Sequence, residues 1–394
     1  MSERLCQIVG GCLGAVLATA ASAQLSIAYA STIELPASAV DQHGVSFAIS
    51  GLSGITRIED ETYAAVMDRS DKVVFFDLVL HEDGSIQSLS DVRGLTLSRT
   101  GDHEGIATAG GNIVYISHEG AMDIRAFLMT DGSWLSTVTV PSVFDTRRSN
   151  LGLESLAFDA QYSWTANEEA LTVDGGRSSP KQGTLVRLQQ FDLLAATMCS
   201  QFAYRVEPMH GPEIPFGNPG QSGLSDLVAL PDGTLLAVER SLAFVNPLFL
   251  TRIYAINATA ATDVSALEAL DGVDVEPVEK ELLYQGGHAN LEGLCLGARL
   301  TPTQFALVGV VDDGDPVSSN AIVVFRLSGL NAQAVDANVD GSVDVDDLHQ
   351  LYRQPIDIDA DGATDHLDRR LLESYLRRHE RFDRARSAIE GQTQ

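Results

Sequence analysis

A short motif recurs five times along the chain, and its recurrence restricts the fold more than any other feature. The copies are Leu52-Ser53-Gly54-Ile55, His103-Glu104-Gly105-Ile106, Leu153-Glu154-Ser155-Leu156, Leu224-Ser225-Asp226-Leu227 and Leu291-Glu292-Gly293-Leu294, each opening an apolar run of strand character. A carboxylate follows at nearly fixed distance: Ser53 to Asp68, Glu104 to Glu119 and Glu154 to Glu169 each span 15 residues, and Ser225 to Glu239 spans 14. A repeated strand-turn-strand unit is the signature of a repeat architecture. The units start 51, 50, 71 and 67 residues apart, a period that suits a four-stranded propeller blade. The fold class expected is therefore all-β: a β-propeller of five to seven blades, six favoured, followed by a small α-helical module. A β-sandwich is the competing architecture, but it does not require each unit to begin and end with the same polar residues.

Turn chemistry at Glu82-Asp83-Gly84, Thr130-Asp131-Gly132 and Pro231-Asp232-Gly233 separates strand candidates such as 72–78, 184–188, 252–256 and 321–327. Residues 25–48 read as a strand that pairs late with the end of the domain. The two longer intervals leave room for a sixth blade, although 174–179 and 208–223 look like loop insertions. Helix is scarce, with 263–270 the one short candidate.

In a propeller, equivalent positions of successive blades converge on one axis. Glu104, Glu154 and Glu292 are then expected to share a ring with Ser53 and Ser225. Asp68, Glu119, Glu168 or Glu169, Glu239 and Asp312 are expected to share a second. Carboxylates meeting at one place repel unless a cation or water separates them, and hard oxygen donors suit Ca²⁺. The alternative, open at this stage, is that each acid caps backbone amides of the neighbouring blade. Arg69 and Arg240 follow Asp68 and Glu239 and are the candidates for binding a phosphate. His103 and His118 stand beside repeat acids and are candidates for proton transfer or for a structural hydrogen bond.

The two ends and the charge bound the rest. Met1–Arg4 is basic, an apolar run follows from Cys6 to Thr19, and Ala21-Ser22-Ala23 offers the small residues a signal peptidase reads. Residues 1–23 are expected to be removed near Ala23, leaving a secreted or periplasmic protein with no retained membrane span. Only Cys199 and Cys295 remain, as a bridge or as free thiols. The formal net charge of -28 repels nucleic acid and anionic membranes and favours cations. No nucleophile elbow, zinc helix or phosphate-loop lysine motif occurs.

These residues resemble the phytase-like family described as having esterase-like activity of phytase. The match is carried by Gly51-Leu52-Ser53-Gly54 with Met67-Asp68-Arg69, by His103-Glu104-Gly105-Ile106 with Ser117-His118-Glu119-Gly120, by Leu153-Glu154-Ser155-Leu156 with Asn167-Glu168, by Ser225-Asp226 with Val238-Glu239-Arg240, and by Asn290-Leu291-Glu292-Gly293-Leu294 with Asp312-Asp313. Ser155 and Asp226 stand where sister units carry glycine. The resemblance implies a secreted propeller related to phosphate-ester hydrolases that use Ca²⁺. Glu104, Glu154, Glu292, Arg69, Arg240 and His103 are then the catalytic candidates, acting on a small phosphoester. The other reading is a propeller without catalysis that binds a glycan or a protein in a polysaccharide-degrading assembly.

After residue 328 the composition turns to dense aspartate. Asp336, Asn338, Asp340, Ser342, Asp344 and Asp347 occupy positions 1, 3, 5, 7, 9 and 12 of a loop with Gly341 at position 6; Asp357, Asp359, Asp361, Ala363, Asp365 and Asp368 repeat it around Gly362. The residues at position 7 contribute carbonyls, so both are EF-hand Ca²⁺ loops. Each runs into an expected helix, 348–353 and 369–379, and the pair resembles a type I dockerin. That resemblance implies attachment to a cohesin-like scaffold or cell-surface protein; the alternative is a Ca²⁺-stapled tail. The expected domains are 1–23 signal peptide, 24–328 propeller, 329–335 linker, 336–380 Ca²⁺-binding module and 381–394 tail.

Overall fold

A computed structural model describes residues 24–330, apart from 60, 109–111, 159–161, 193–196, 217–219, 232, 302–303 and 315–317, together with 350, 351 and 353. Five four-stranded antiparallel sheets surround one axis. Strand β1 (Ser26–Glu34) and a hairpin of β2 (Ser38–Val40) and β3 (Ser46–Ala48) come first. Blade one follows with β4 (Leu52–Glu59), β5 (Thr62–Met67), β6 (Ser70–Leu80) and β7 (Ile86–Gly101). Blade two holds β8 (His103–Ala107), β9 (Ile113–His118), β10 (Asp123–Leu128) and β11 (Trp134–Thr139). Blade three holds β12 (Ala157–Phe158), β13 (Ser163–Ala166), β14 (Thr184–Asp192) and β15 (Thr197–Val206). Blade four holds β16 (Gln221–Ala229), β17 (Leu235–Leu242), β18 (Phe249–Asn257) and β19 (Glu279–Gly286). Blade five is β20 (Leu291–Thr301), β21 (Gln304–Val311) and β22 (Ala321–Ser328), completed by β1 at its outer edge.

The sheet count is five rather than the favoured six, for two reasons. The N-terminal strand does not found a blade; it pairs with β22 from Ser26↔Ser328 to Glu34↔Ala321 and locks the two ends of the domain together. The long intervals hold loops instead of strands, and 263–270 is a bridge and turns rather than a helix. Blade position is readable in burial. Central strands such as β5 and β21 bury nearly every residue, as strands covered on both faces must, whereas the outer β11 and β19 leave most residues exposed. Apolar layers fill the space between blades, for example Leu52, Ile55 and Tyr63 of blade one against Val308 and Val310 of blade five.

The repeated glycine explains how the blades meet. A Cβ at Gly54 would stand 2.4 Å from the Glu104 carbonyl oxygen, at Gly105 2.4 Å from Leu156 N, and at Gly293 2.4 Å from the Ser53 carbonyl oxygen. The innermost strands thus pass backbone against backbone, closer than any side chain allows. In blade four Asp226 takes this position and its buried carboxylate does the joining: it accepts the amides of Leu227 at 2.8 Å and Leu294 at 2.7 Å. Ser155 instead accepts the Ala166 amide at 3.0 Å within its own blade.

Cys199 is exposed and Cys295 buried, and both are free. Among the described residues no helix is long and apolar enough to cross a membrane. The expected signal segment 1–23 and the loop sequences 336–347 and 357–368 lie outside the described residues; residues 350, 351 and 353 are helical. Gly105→Ala is expected to lower unfolding stability by about 1–3 kcal/mol through overpacking. Asp226→Ala is expected to cost at least about 3 kcal/mol by orphaning buried amides. Urea denaturation measures both, and a Gly105→Ala protein as stable as the parent would contradict the close passage.

Candidate functional site

The strand pairings identify which residues are equivalent. Gly51 faces Asp68, Asp102 faces Glu119, Gly152 faces Glu168, and Asn290 faces Asp312, in each case through the amide of the second residue and the carbonyl of the first. In blade four the same place pairs Gly223 with Arg240. Register shifts follow immediately, between Leu52 and Ile55, His103 and Ile106, Leu224 and Asp226, and Leu291 and Gly293. Bulges of this kind re-aim a side chain. The motif's second residue lies at the bulge in these four blades: Ser53, Glu104, Ser225 and Glu292.

The outer ring therefore reads Asp68, Glu119, Glu168, Arg240 and Asp312. The register selects Glu168 over Glu169. Glu239 is set one residue aside, opposite Leu224, where it accepts Tyr204 Oη of blade three at 2.7 Å, the Glu207 amide at 3.0 Å and Lys280 Nζ of its own blade at 2.8 Å. Glu169 is likewise bound up with Arg177 and Ser178. Arg240 is equivalent to Asp68, not to Arg69. Holding the 15-residue spacing fixed in blade four would have selected Arg240; following residue type selected Glu239.

Two functions are divided among the ring. Glu119 accepts the Gly152 amide at 2.7 Å, and Asp313 accepts the Gly51 amide at 3.0 Å, so acids do clasp the next blade. Arg240 Nη2 donates to Glu168 at 2.8 Å while Nη1 donates to Asn290 at 2.7 Å and to Glu292. This arginine fastens blades three, four and five. The remaining arc is acidic: oxygens of Asp68, Asp102 and Glu104 all lie within 4.8 Å of one another. Ser53 Oγ donates to Glu104 at 2.5 Å. Asp68 Oδ1 and Asp312 Oδ1 are buried and have no hydrogen-bond partner among the described residues. Arg69, in the left-handed region at φ 48°, reaches over Asp102 at 3.3 Å to Asn150; its side chain is 65% exposed.

Burial, then the adjoining Asp102, push Asp68 up to about 7, and burial, with Asp102 adding to it, does the same to Glu119. Glu104 and Glu154 are held well above the usual carboxylate range by burial and then by neighbouring acids, Asp68 and Glu104 respectively. Asp102 goes the other way: burial opposes it, but hydrogen bonds from Asp68 and Glu119 keep it low. The one cation against this cluster is the exposed Arg69 at Asp68 and Asp102. Hard oxygens converging on one point, one of them without a partner among the described residues, fit a Ca²⁺ ion, with Asp68, Asp102 and Glu104 as the ligands at hand. The innermost strands of the five blades also line a cavity with Ile55, Ile106, Leu156, Leu227 and Leu294.

Of the catalytic candidates, Glu104 sits in this arc, Glu154 is coupled to it electrostatically, and Glu292 is paired with Arg240. His103 lies elsewhere. It is buried beside Phe127 and His118 with both ring nitrogens unpartnered among the described residues, and burial followed by His118 pushes it down to about 3. Asp102 and Asn150 were not singled out from sequence; Asp102 is detectable as the residue opposite Glu119 once the motif is read one place earlier.

A five-bladed propeller with a carboxylate-lined mouth is the class these features define. The pattern of the phytase-like family, "Esterase-like activity of phytase", matches residues 48–315, and the chain belongs to that family. Among solved structures it is similar to the luciferin-regenerating enzyme, at 13% identity and a TM-score of 0.34, covering 71% of this chain and 92% of that one. It is also similar to the hydrazine synthase of Kuenenia stuttgartiensis, at 11% identity and a TM-score of 0.31, covering 70% of this chain and 64% of that one. A search of curated sequences finds no match.

The raised carboxylates have a thermodynamic consequence. Relative to the unfolded chain they hold protons more tightly, so their stabilising contribution is present below pH 4.5 and is lost as pH rises through about 7. Without metal, Glu104→Gln is expected to stabilise the protein by about 1 kcal/mol or more at pH 8, where it removes a like charge, and by much less at pH 5. Thermal melts in a chelator read this directly; equal shifts at both pH values would show that charge repulsion is not the cause.

Proposed function

We propose that the protein is a Ca²⁺-dependent phosphoester hydrolase whose reaction takes place in the propeller mouth. The convergence of Asp68, Asp102 and Glu104 oxygens within 4.8 Å is the observation that carries this reading, and membership of the phytase-like family supports it. Ca²⁺ held there would supply positive charge for phosphate oxygens and lower the pKa of a water molecule. The protein's own residues have separate tasks. Arg69 is exposed and bound only at the rim, so it can turn from Asp102 and Asn150 to a phosphate oxygen, which its planar fork suits. Arg240 keeps Glu168 and Glu292 oriented. Glu154 is raised well above the usual carboxylate range by burial and then by Glu104, the direction that suits a group donating a proton to a leaving oxygen.

Ca²⁺-loaded protein is expected to release phosphate from phytate or a simple phosphoester, to stop in excess chelator, and to lose about 10²-fold or more in kcat/KM on Glu104→Gln with the fold intact. No turnover on a broad phosphoester and ester panel, with Ca²⁺ saturating, would end the hydrolase reading and leave the binding-module reading standing.

The C-terminal loops and the leader complete the proposal: an exported enzyme tethered by a dockerin-like module. The spacing of oxygen ligands in 336–347 and 357–368 supports two Ca²⁺ sites. Calorimetry on the full chain is expected to find these two sites beside the one in the mouth, and the two to vanish with Asp336→Ala and Asp357→Ala while the mouth site stays. Retention of both in the double variant would refute the loop assignment.

A further inference from the structure

The loops above blade four carry an apolar surface beside the charged mouth. Strand β17 runs from Arg240 through Ser241 and Leu242 into the tip 243–248, which contains no charged residue in a chain of net charge -28. This tip is fastened to the segment leading into β16. Phe244 N–H donates to the Pro212 carbonyl at 2.8 Å, and the His210 ring bridges Ser241 Oγ at 2.8 Å and the Pro247 carbonyl at 2.9 Å. Val245 packs against Gly211, where a Cβ would stand 2.6 Å from it, and Pro247 packs against Gly287 in the same way at 2.7 Å. Gly287 lies just ahead of Asn290, which accepts the Arg240 hydrogen bond. Both sides of the clamp therefore lead back to the mouth.

The clamp holds up Phe244 at 60% and Val245 at 41% exposure, and Phe216, four residues beyond Pro212 on the segment leading into β16, is 86% exposed. Single exposed apolar residues are ordinary, but two phenylalanines and a valine on mutually bonded loops beside a polar site mark an interaction surface. Four residues separate Arg240 from Phe244, at most about 14 Å of chain. A molecule with its anionic end in the mouth is thus within reach of these rings, whose flat faces favour a planar aromatic group.

We infer that these loops form an aryl-binding shelf and that the ester processed in the mouth is an aromatic phosphomonoester. The inference rests on the hydrolase reading and narrows it. Water forms a new bond to phosphorus as the bond from phosphorus to the aryl oxygen breaks, giving inorganic phosphate and a phenol with no further reactant.

The test compares 1-naphthyl phosphate with glycerol 2-phosphate on the full Ca²⁺-loaded chain and on Phe216→Ser/Phe244→Ser. The double variant is expected to raise KM for the naphthyl ester about tenfold, the effect of losing an apolar contact of one ring. The glycerol ester, the Ca²⁺ isotherm and the melting temperature are expected to stay unchanged. Equal effects on both esters, or none on either, would overturn the shelf. Fluorescence titration with 1-naphthylphosphonate separates the two readings. Tenfold weaker binding to the variant, with no ester hydrolysed by either protein, keeps the shelf and rejects the hydrolase. Hydrolysis that does not distinguish the two esters keeps the hydrolase and rejects the shelf. Loss of binding to phosphatidylcholine vesicles in the variant, with the naphthyl ester unaffected, would assign the surface to a lipid and also overturn the proposal.

Discussion

The close passage of the innermost strands is the contact on which the rest of the molecule depends. Three glycines let one backbone lie within side-chain distance of the next, and Asp226 replaces that contact with a carboxylate bridging neighbouring amides. Because the strands approach so closely, the residues just before the glycine are driven together whether or not their charges agree. The acidic mouth is a by-product of the packing geometry, and the bulges at the same positions aim the acids inward.

Such a mouth would weaken the fold if left as bare repulsion. The protein limits the loss in three ways: Glu119 accepts a backbone amide of the next blade, Arg240 takes the place of one ring acid and binds two others, and the pKa values of Asp68 and Glu104 rise. The first two measures are confined to the arc from blade two through blade five. The arc of Asp68, Asp102 and Glu104 has the exposed Arg69 as its cation and keeps Asp68 Oδ1 without a partner among the described residues, which is why it is the part of the ring that suits a metal.

Much of this was legible in the sequence because a repeat constrains five places at once. The motif located the inner strand of every blade; of residues 25–48, read as one closing strand, 26–34 make that pairing and 38–48 fold back as a separate hairpin. The blade count was less secure, since interval length does not distinguish an extra blade from the loops at 207–220 and 258–278. The ring membership at blade four was misplaced by one residue because it was assigned by residue type, whereas strand pairing decides it: Gly223 pairs with Arg240, and Glu239 lies opposite Leu224. A one-residue difference in a strand sends the side chain to the other face, so Glu239 ends buried among Tyr204 and Lys280.

The same register argument explains why Arg69 and Arg240, alike in local sequence, differ in what they can do. Arg240 occupies a ring position and is enclosed by Glu168, Asn290 and Glu292, so releasing it would leave buried acids uncompensated. Arg69 sits one step beyond the ring, in a left-handed turn, with most of its side chain in solvent. Its contacts with Asp102 and Asn150 are those of a surface pair and hold it weakly. Of the two arginines only Arg69 can change partners without unfastening the blades, and a group that changes partners is what recognition of an incoming anion requires.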